Sequence, residues 1–332
     1  MKQLIITLLS FISISVTTHA IQTAELPESV DIINRWSVGE KVTYSMISQK
    51  YSTAYGSESP DMEENKSKVF SMQLVDSLKN GDLIFRFHEI SNTDSLADAE
   101  TMARDKLFES LGLDTFDIFV RTDTYGKFID IDNYQTIIDA VNQNRDTLLG
   151  LFAAEAKKDN GDTTQITDEM MPRIFDTFFS KQGLITAINP ELSLLTYYGY
   201  NLRINMEATT PTQTRTMFSD TEMLRGETSM EVQPYDPDDE DMADVFIVYS
   251  ETIYDTDQLT DMVKRFYANL LDNPKIMTDI PTPDYTASLI TDFTQIIDTG
   301  SGTTLLSELS KQLALDNKVT TWVYRIIAEP EM

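Results

Sequence analysis

At Asn80-Gly81 two runs of alternating apolar residues meet head to tail. Asn-Gly is the dipeptide preferred in two-residue type I′ turns, where both central positions need positive φ. Val69 to Leu78 and Leu83 to Ile90 therefore read as a β-hairpin, with Lys79 opposite Asp82, Leu74 opposite Phe87 and Leu78 opposite Leu83. Phe70, Met72, Leu74, Leu78, Leu83, Phe85 and Phe87 fall on one face, with Asp76 as the exception. Gln73, Arg86 and His88 fall on the other. So large an apolar face has to be covered by another layer.

The stretch from Asn133 to Ile188 supplies that cover. Ile137, Ile138, Val141, Leu148 and Phe152 recur at helical spacing, and Met171, Ile174, Phe175 and Phe178 do so again. Asp159-Asn160-Gly161-Asp162 breaks the pattern between them, so the segment reads as a helical hairpin laid against a sheet. Asn133 suits its N-cap, and Lys157 and Lys158 suit a helix C-terminus.

Strand-like sequence lies on both sides. Lys41 to Tyr51 alternates, and Asp123-Thr124-Tyr125-Gly126 joins Phe116 to Thr122 and Lys127 to Ile131 through a type I turn. Ser57 to Asn65 reads as an acidic loop, and Ser95 to Leu111 as a helix. After Asn189-Pro190 the period returns to two, through Tyr198 to Met206, Thr214 to Phe218, Thr228 to Val232 and Val245 to Ile253. The last is apolar nearly throughout and reads as a central strand covered on both faces. Asp255 to Leu271 is an amphipathic helix, with Asp255 and Gln258 in capping-box positions. A Pro-containing linker at 274–284 precedes a tail whose apolar residues fit helix and strand alike. Its Thr content and its turns at Gly300-Ser301-Gly302 and Asp316-Asn317 favour three antiparallel strands ending in Val319 to Ile327.

Lys2, the apolar run Leu4 to Val16 and Thr18-His19-Ala20 form a cleavable export signal, so residues 1–20 are set apart from a single domain at 21–332. The run of about 13 residues is too short to span a bilayer, and no later stretch is longer. The chain contains no cysteine, which removes both disulfides and a lipobox acylation site. A periplasmic or secreted protein without a transmembrane anchor is expected. Fifty-four acidic residues against 26 basic ones give a formal net charge of −28, which opposes nucleic acid and anionic lipid and favours a soluble monomer.

Exclusion narrows the chemistry further. Beyond the export signal one histidine remains, His88, so zinc sites built on several His or Cys ligands are unavailable within one chain. Phosphate loops, dinucleotide fingerprints, G-x-S-x-G elbows and S-x-x-K pairs are all missing. His88 has Gln73 and Arg86 as expected neighbours, a setting that suits an exposed sheet residue better than a general base. The chain reads as non-enzymatic and without a resident cofactor.

Two candidate sites remain. Met170, Met171, Ile174, Phe175, Phe178 and Phe179 form an apolar arc wider than one sheet contact requires, because Phe179 points about 100° from Phe178. Core packing accounts for such a face, and so does a pocket for an apolar small molecule or lipid. Asp236, Asp238 and Glu240 place oxygen ligands at alternate positions, which suits weak calcium binding. The loop lacks the glycine and closing glutamate of an EF-hand, and a solvated acidic loop explains it equally.

The motifs Trp36-Ser37-Val38-Gly39-Glu40, Asp123 to Gly126 and Asp298-Thr299-Gly300-Ser301-Gly302 recur in the same order in exported Bacteroidota-type proteins of unknown function, which this chain resembles over most of its length. Some of those look like the lipoprotein-carrier fold, a half-open antiparallel barrel with helices over its mouth. The resemblance implies an apolar ligand and carries over no catalytic residue. The expected fold is therefore α+β: a curved, mostly antiparallel β-sheet, half-barrel-like, covered by a long helical hairpin and further helices. The expected function is a binding or carrier module for an apolar ligand held between helices and sheet. An envelope structural or protein-interaction role is the alternative, and a carboxylate-dependent hydrolase has the least support.

Overall fold

A computed structural model describes residues 29–54, 59–94, 117–150, 171–216, 219–236, 239–270, 288–315 and 318–330. The expected helix at Ser95 to Leu111, the Asp159 to Asp162 breaker, the linker at 274–284 and the export signal lie outside these residues.

The framework is one open, curved sheet of eleven strands, antiparallel at every junction. The chain enters at the centre with β2 (Lys41–Ala54) and steps outward through β3 (Asp61–Ser77), β4 (Leu83–Asp94), β5 (Ile118–Thr122) and β6 (Phe128–Ile131). It crosses to the far edge and steps back inward through β8 (Ala208–Thr216), β9 (Ser219–Pro234), β10 (Val245–Tyr254), β11 (Ser288–Asp298), β12 (Thr303–Leu315) and β13 (Lys318–Ala328). Pairing of β13 with β2 joins the two meanders, so first and last strands meet mid-sheet. A separate ribbon pairs β1 (Ser29–Ile32) with β7 (Tyr200–Arg203).

The hairpin of β3 and β4 forms, with a different turn and register. Gly81 N–H donates to the Leu78 carbonyl at 2.9 Å, and Leu78 N–H to the Asp82 carbonyl at 2.8 Å. Only Gly81 has positive φ, at 93°, which makes this a three-residue type I loop with a glycine bulge rather than type I′. Met72 consequently faces Phe87, and Leu74 faces Phe85. The register shifts again between Leu74 and Asp76, and that extra residue turns Asp76 outward. The apolar face survives because the main offset is two residues, which preserves side-chain parity. The Asp123 turn repeats the design, with Gly126 at φ 98° and Asp123 Oδ1 accepting from Tyr125 N–H and Lys127 N–H, each at 2.9 Å.

Two strand expectations change. Residues 61–65 belong to β3 instead of an acidic loop, because Glu63 and Glu64 find lysines: Lys50 and Lys318 for Glu63, and Lys66 for Glu64. Strand β10 is covered on one face only, since Tyr249 and Ile253 are 43% and 54% exposed while Val248 and Tyr254 are buried. The tail is three strands, as its turns imply; Asp298 Oδ1 accepts from Gly300 N–H at 2.9 Å and Ser301 N–H at 3.2 Å.

Helices cover one sheet face. α1 (Tyr134–Gln143) is followed by helical residues 145–150. Asn133 sits at the N-cap position, yet its side chain serves the sheet instead: Oδ1 accepts from Phe119 N–H and Nδ2 donates to the Asp117 carbonyl. The second helical run is broken into α2 (Met171–Phe178) and α3 (Lys181–Ala187). Ser180 caps α3 by accepting from Gly183 N–H at 3.0 Å. A Cβ at Gly183 would stand 2.2 Å from the Phe178 carbonyl oxygen, so the bend depends on that glycine. α4 (Asn189–Leu192) and the 3₁₀ turn Ser193–Leu195 follow, and every residue from Ile188 to Leu195 is buried. α5 (Thr256–Leu270) begins with Gln258 N–H donating to Asp255 Oδ1 at 3.0 Å. Its capping box is half formed, because the Gln258 side chain turns away to Arg225 N–H and the Met223 carbonyl.

Candidate ligand cavity

The buried segment Ile188 to Leu195 is the piece on which the interior is hung. A helical segment laid on a sheet must satisfy its polar groups locally, since water cannot reach them. Thr304 Oγ1 and Gln295 Nε2 each donate to the Leu194 carbonyl at 2.8 Å, and Ser193 Oγ pairs with Ser307 Oγ at 2.6 Å. Tyr198 hydroxyl donates to the Gly302 carbonyl at 2.7 Å, and Tyr197 hydroxyl to Ser250 Oγ at 2.6 Å. Burial pushes both phenols above their ordinary range.

A cavity lies on either side of this segment. The larger, about 240 Å³, opens between β3 and β4 on the sheet and α1, α3 and α4 above them. Its wall is mainly aliphatic and aromatic, with Phe70, Phe87, Ile137, Val141, Leu148 and Phe179 among the lining residues. The smaller, about 140 Å³, lies toward β10, β11 and β12, and Leu192 borders both.

One wall of the larger cavity is charged. Lys68 Nζ sits 2.7 Å from Glu89 Oε2 and 2.8 Å from Glu191 Oε1, and all three side chains line the space. Burial works against the Lys68 ammonium, but the two carboxylates outweigh it and hold its pKa above the ordinary value. Lys68 and Glu89 continue the apolar parity of their strands, two residues beyond Phe70 and Phe87. A charge at the end of each apolar row is the sequence signal for this pair, and Glu191 carries none.

His88 also borders the cavity. Its Nδ1 lies 2.7 Å from Asp117 Oδ1, while Arg86 Nε donates to Asp117 Oδ2 at 2.8 Å. Burial alone would raise the Asp117 pKa; the hydrogen bonds from Arg86 and His88 override it and lower it. His88 is thus held against a carboxylate that no sequence pattern places beside it.

The structure divides the six expected ligand residues. Phe179 lines the cavity. Phe175 lies behind it, buried, with its ring centroid 4.5 Å from that of Phe179 and 4.7 Å from the Arg145 guanidinium carbon, which sits over the ring. Phe178 is half-buried and away from the wall. Met170 and the side chains of Met171 and Ile174 lie outside the described residues. Of the calcium candidates, Asp236 is exposed, while Asp238 and the Glu240 side chain lie outside the description. Among the described residues no three potential ligands gather around a point, and no helix is long and apolar enough to cross a membrane.

No protein-family model matches the chain, and no curated protein sequence does. Among solved structures, a lipovitellin structure concerned with lipid–protein interactions is similar over 89% of this chain and 26% of its own, at 11% identity and a TM-score of 0.41. The chain thus spans about a quarter of the lipovitellin chain. An outer-membrane channel from Pseudomonas putida F1 is similar over 90% of this chain and 98% of its own, at 8% identity and a TM-score of 0.17. Neither value amounts to a shared fold.

Proposed function

We propose that this chain is a non-enzymatic exported binding or carrier protein that holds a small apolar molecule between its sheet and its helices. The observation behind this reading is the cavity of about 240 Å³ with its largely apolar wall. Empty space of that kind is costly: at about 24 cal/mol per Å³, filling it with side chains would gain up to roughly 6 kcal/mol. A chain under selection for stability alone would close it. The volume lies just under the range of about 300–1,000 Å³ typical of small-molecule pockets. A single chain or a small ring fits that space, and a two-chain phospholipid does not.

Thermal unfolding with and without 1-octanol tests the reading. A saturable rise in Tm is expected, and Ile138→Trp, at an α1 residue that lines the cavity, should abolish it. An unchanged Tm in the unsubstituted chain, or an equal rise in the filled variant, would refute a ligand-holding cavity.

A further inference from the structure

Glu191 is 8% exposed, and while its Oε1 accepts from Lys68, its Oε2 has no hydrogen-bond partner. A buried carboxylate oxygen left without a donor is costly, and such groups are ordinarily satisfied. This one belongs to a cavity-lining residue whose other neighbours are mostly apolar. Building on the carrier reading, we propose that the cavity takes a single-chain amphiphile whose head is a hydrogen-bond donor, a hydroxyl or an ammonium, seated on the Glu191 carboxylate.

Charge selects the same heads. Lys68 is shared between Glu89 and Glu191, so the cluster carries one positive and two negative charges. An incoming carboxylate or phosphate would meet an ammonium already committed to two partners and an excess negative charge in a partly desolvated wall. A donor head meets the opposite: a carboxylate that keeps one oxygen unpaired, on the charged wall of an otherwise apolar space. The order of the wall, charged cluster at one side and Phe179, Val141 and Leu148 elsewhere, gives the amphiphile a direction.

Binding of 1-octanol, octylammonium, octanoate and n-octane to the full chain, measured by calorimetry at neutral pH, tests this. A hydrogen bond to a charged acceptor predicts that the alcohol and the ammonium bind at least about tenfold tighter than octanoate and octane. Glu191→Gln should erase that preference. Glu89→Gln removes the same charge from the cluster while leaving Glu191 in place, and should keep the preference for the alcohol. Octane or octanoate binding as tightly as 1-octanol would overturn the head assignment while leaving the cavity reading intact. An absence of binding by all four would overturn both. If Glu191→Gln does not fold, the ranking on the unsubstituted chain decides.

Discussion

Lys68 on β3 and Glu191 on α4 are 123 residues apart in the chain and meet at 2.8 Å. The pair pins the buried helical segment to the sheet beside the cavity, and Glu89 on β4 closes it from the neighbouring strand at 2.7 Å. Removing one member of such a group leaves the others as uncompensated charge. Lys68→Met should therefore destabilise the fold by about 3 kcal/mol, measured by urea unfolding. The double change Lys68→Met with Glu191→Leu should recover much of that loss, since the remaining Glu89 can turn toward water. Additive losses in the double variant would show that the pair is not coupled.

Three strands are held together at one end of the sheet by Glu63, which lies 2.8 Å from Lys50 on β2 and 2.9 Å from Lys318 on β13. Burial opposes its ionised form, but hydrogen bonds from Lys50, Lys318 and Ser52 prevail and lower its pKa from 4.5 to about 2. Its contribution is then present above pH 4.5 and is lost as pH falls through 2. Because the site is partly exposed, solvent screening reduces the effect to about 1 kcal/mol. Glu63→Gln should cost that amount at pH 6, and the difference should shrink toward zero at pH 2. A cost that does not change with pH would mean that the carboxylate does not titrate with folding.

Lys311 lies on the covered face of β12, buried opposite Thr291 and Trp322. Burial lowers its pKa from 10.5 to about 7. Between those values the unfolded chain holds a proton that the folded chain has released, so stability rises with pH across that window. Relative to Lys311→Met, the unsubstituted chain should gain on the order of 3 kcal/mol between pH 7 and 9.5, by chemical denaturation at the two pH values. A constant difference would show that the ammonium keeps its proton inside the fold.

Gly39 and Gly302 both have positive φ, 102° and 67°, but differ in what surrounds them. Nothing stands within 4 Å of a Cβ at Gly39, whereas one at Gly302 would meet Arg35 N at 2.6 Å and the Ile33 carbonyl oxygen at 2.8 Å. Gly39→Ala should cost about 1 kcal/mol, for backbone strain alone. Gly302→Ala adds a clash with backbone that has to move, and should cost about 3 kcal/mol or more. Equal melting temperatures for the two variants would place the strain, and not the contact, in control.

The sheet was legible because its signals are local. Alternation places Phe70, Met72, Phe85 and Phe87 on one face whatever the turn, and the Asp298 loop reads as a turn from its own residues. The exact turn at Asn80-Gly81 was not legible, since the same dipeptide serves a two-residue loop and a type I loop with a glycine bulge. Covering of β10 failed as an inference because an apolar run does not reveal which face a later segment will pack on; Ile253 is exposed although its neighbour Tyr254 is buried. The site was half legible. Phe179 follows from the width of the helical arc and Lys68 from its strand parity, but Glu191 depends on a meeting across 123 residues. No pattern within either segment encodes that meeting.

Phe179 and Phe178 stand next to each other in the chain, yet only Phe179 borders the cavity. Truncating either removes a half-buried ring, so each alanine variant should lose about 2 kcal/mol of stability. The consequences for binding should separate. Phe179→Ala extends the cavity away from the Lys68 cluster, because the Phe175 ring behind it, 4.5 Å between centroids, is itself buried and cannot fully collapse into the space. Across the series from 1-hexanol to 1-dodecanol, the tightest binder should therefore move to a longer chain in Phe179→Ala. In Phe178→Ala it should stay where the unsubstituted chain has it. If both variants leave the preferred length unchanged, the apolar end of the occupant does not rest on α2, and the arc read from sequence is packing alone.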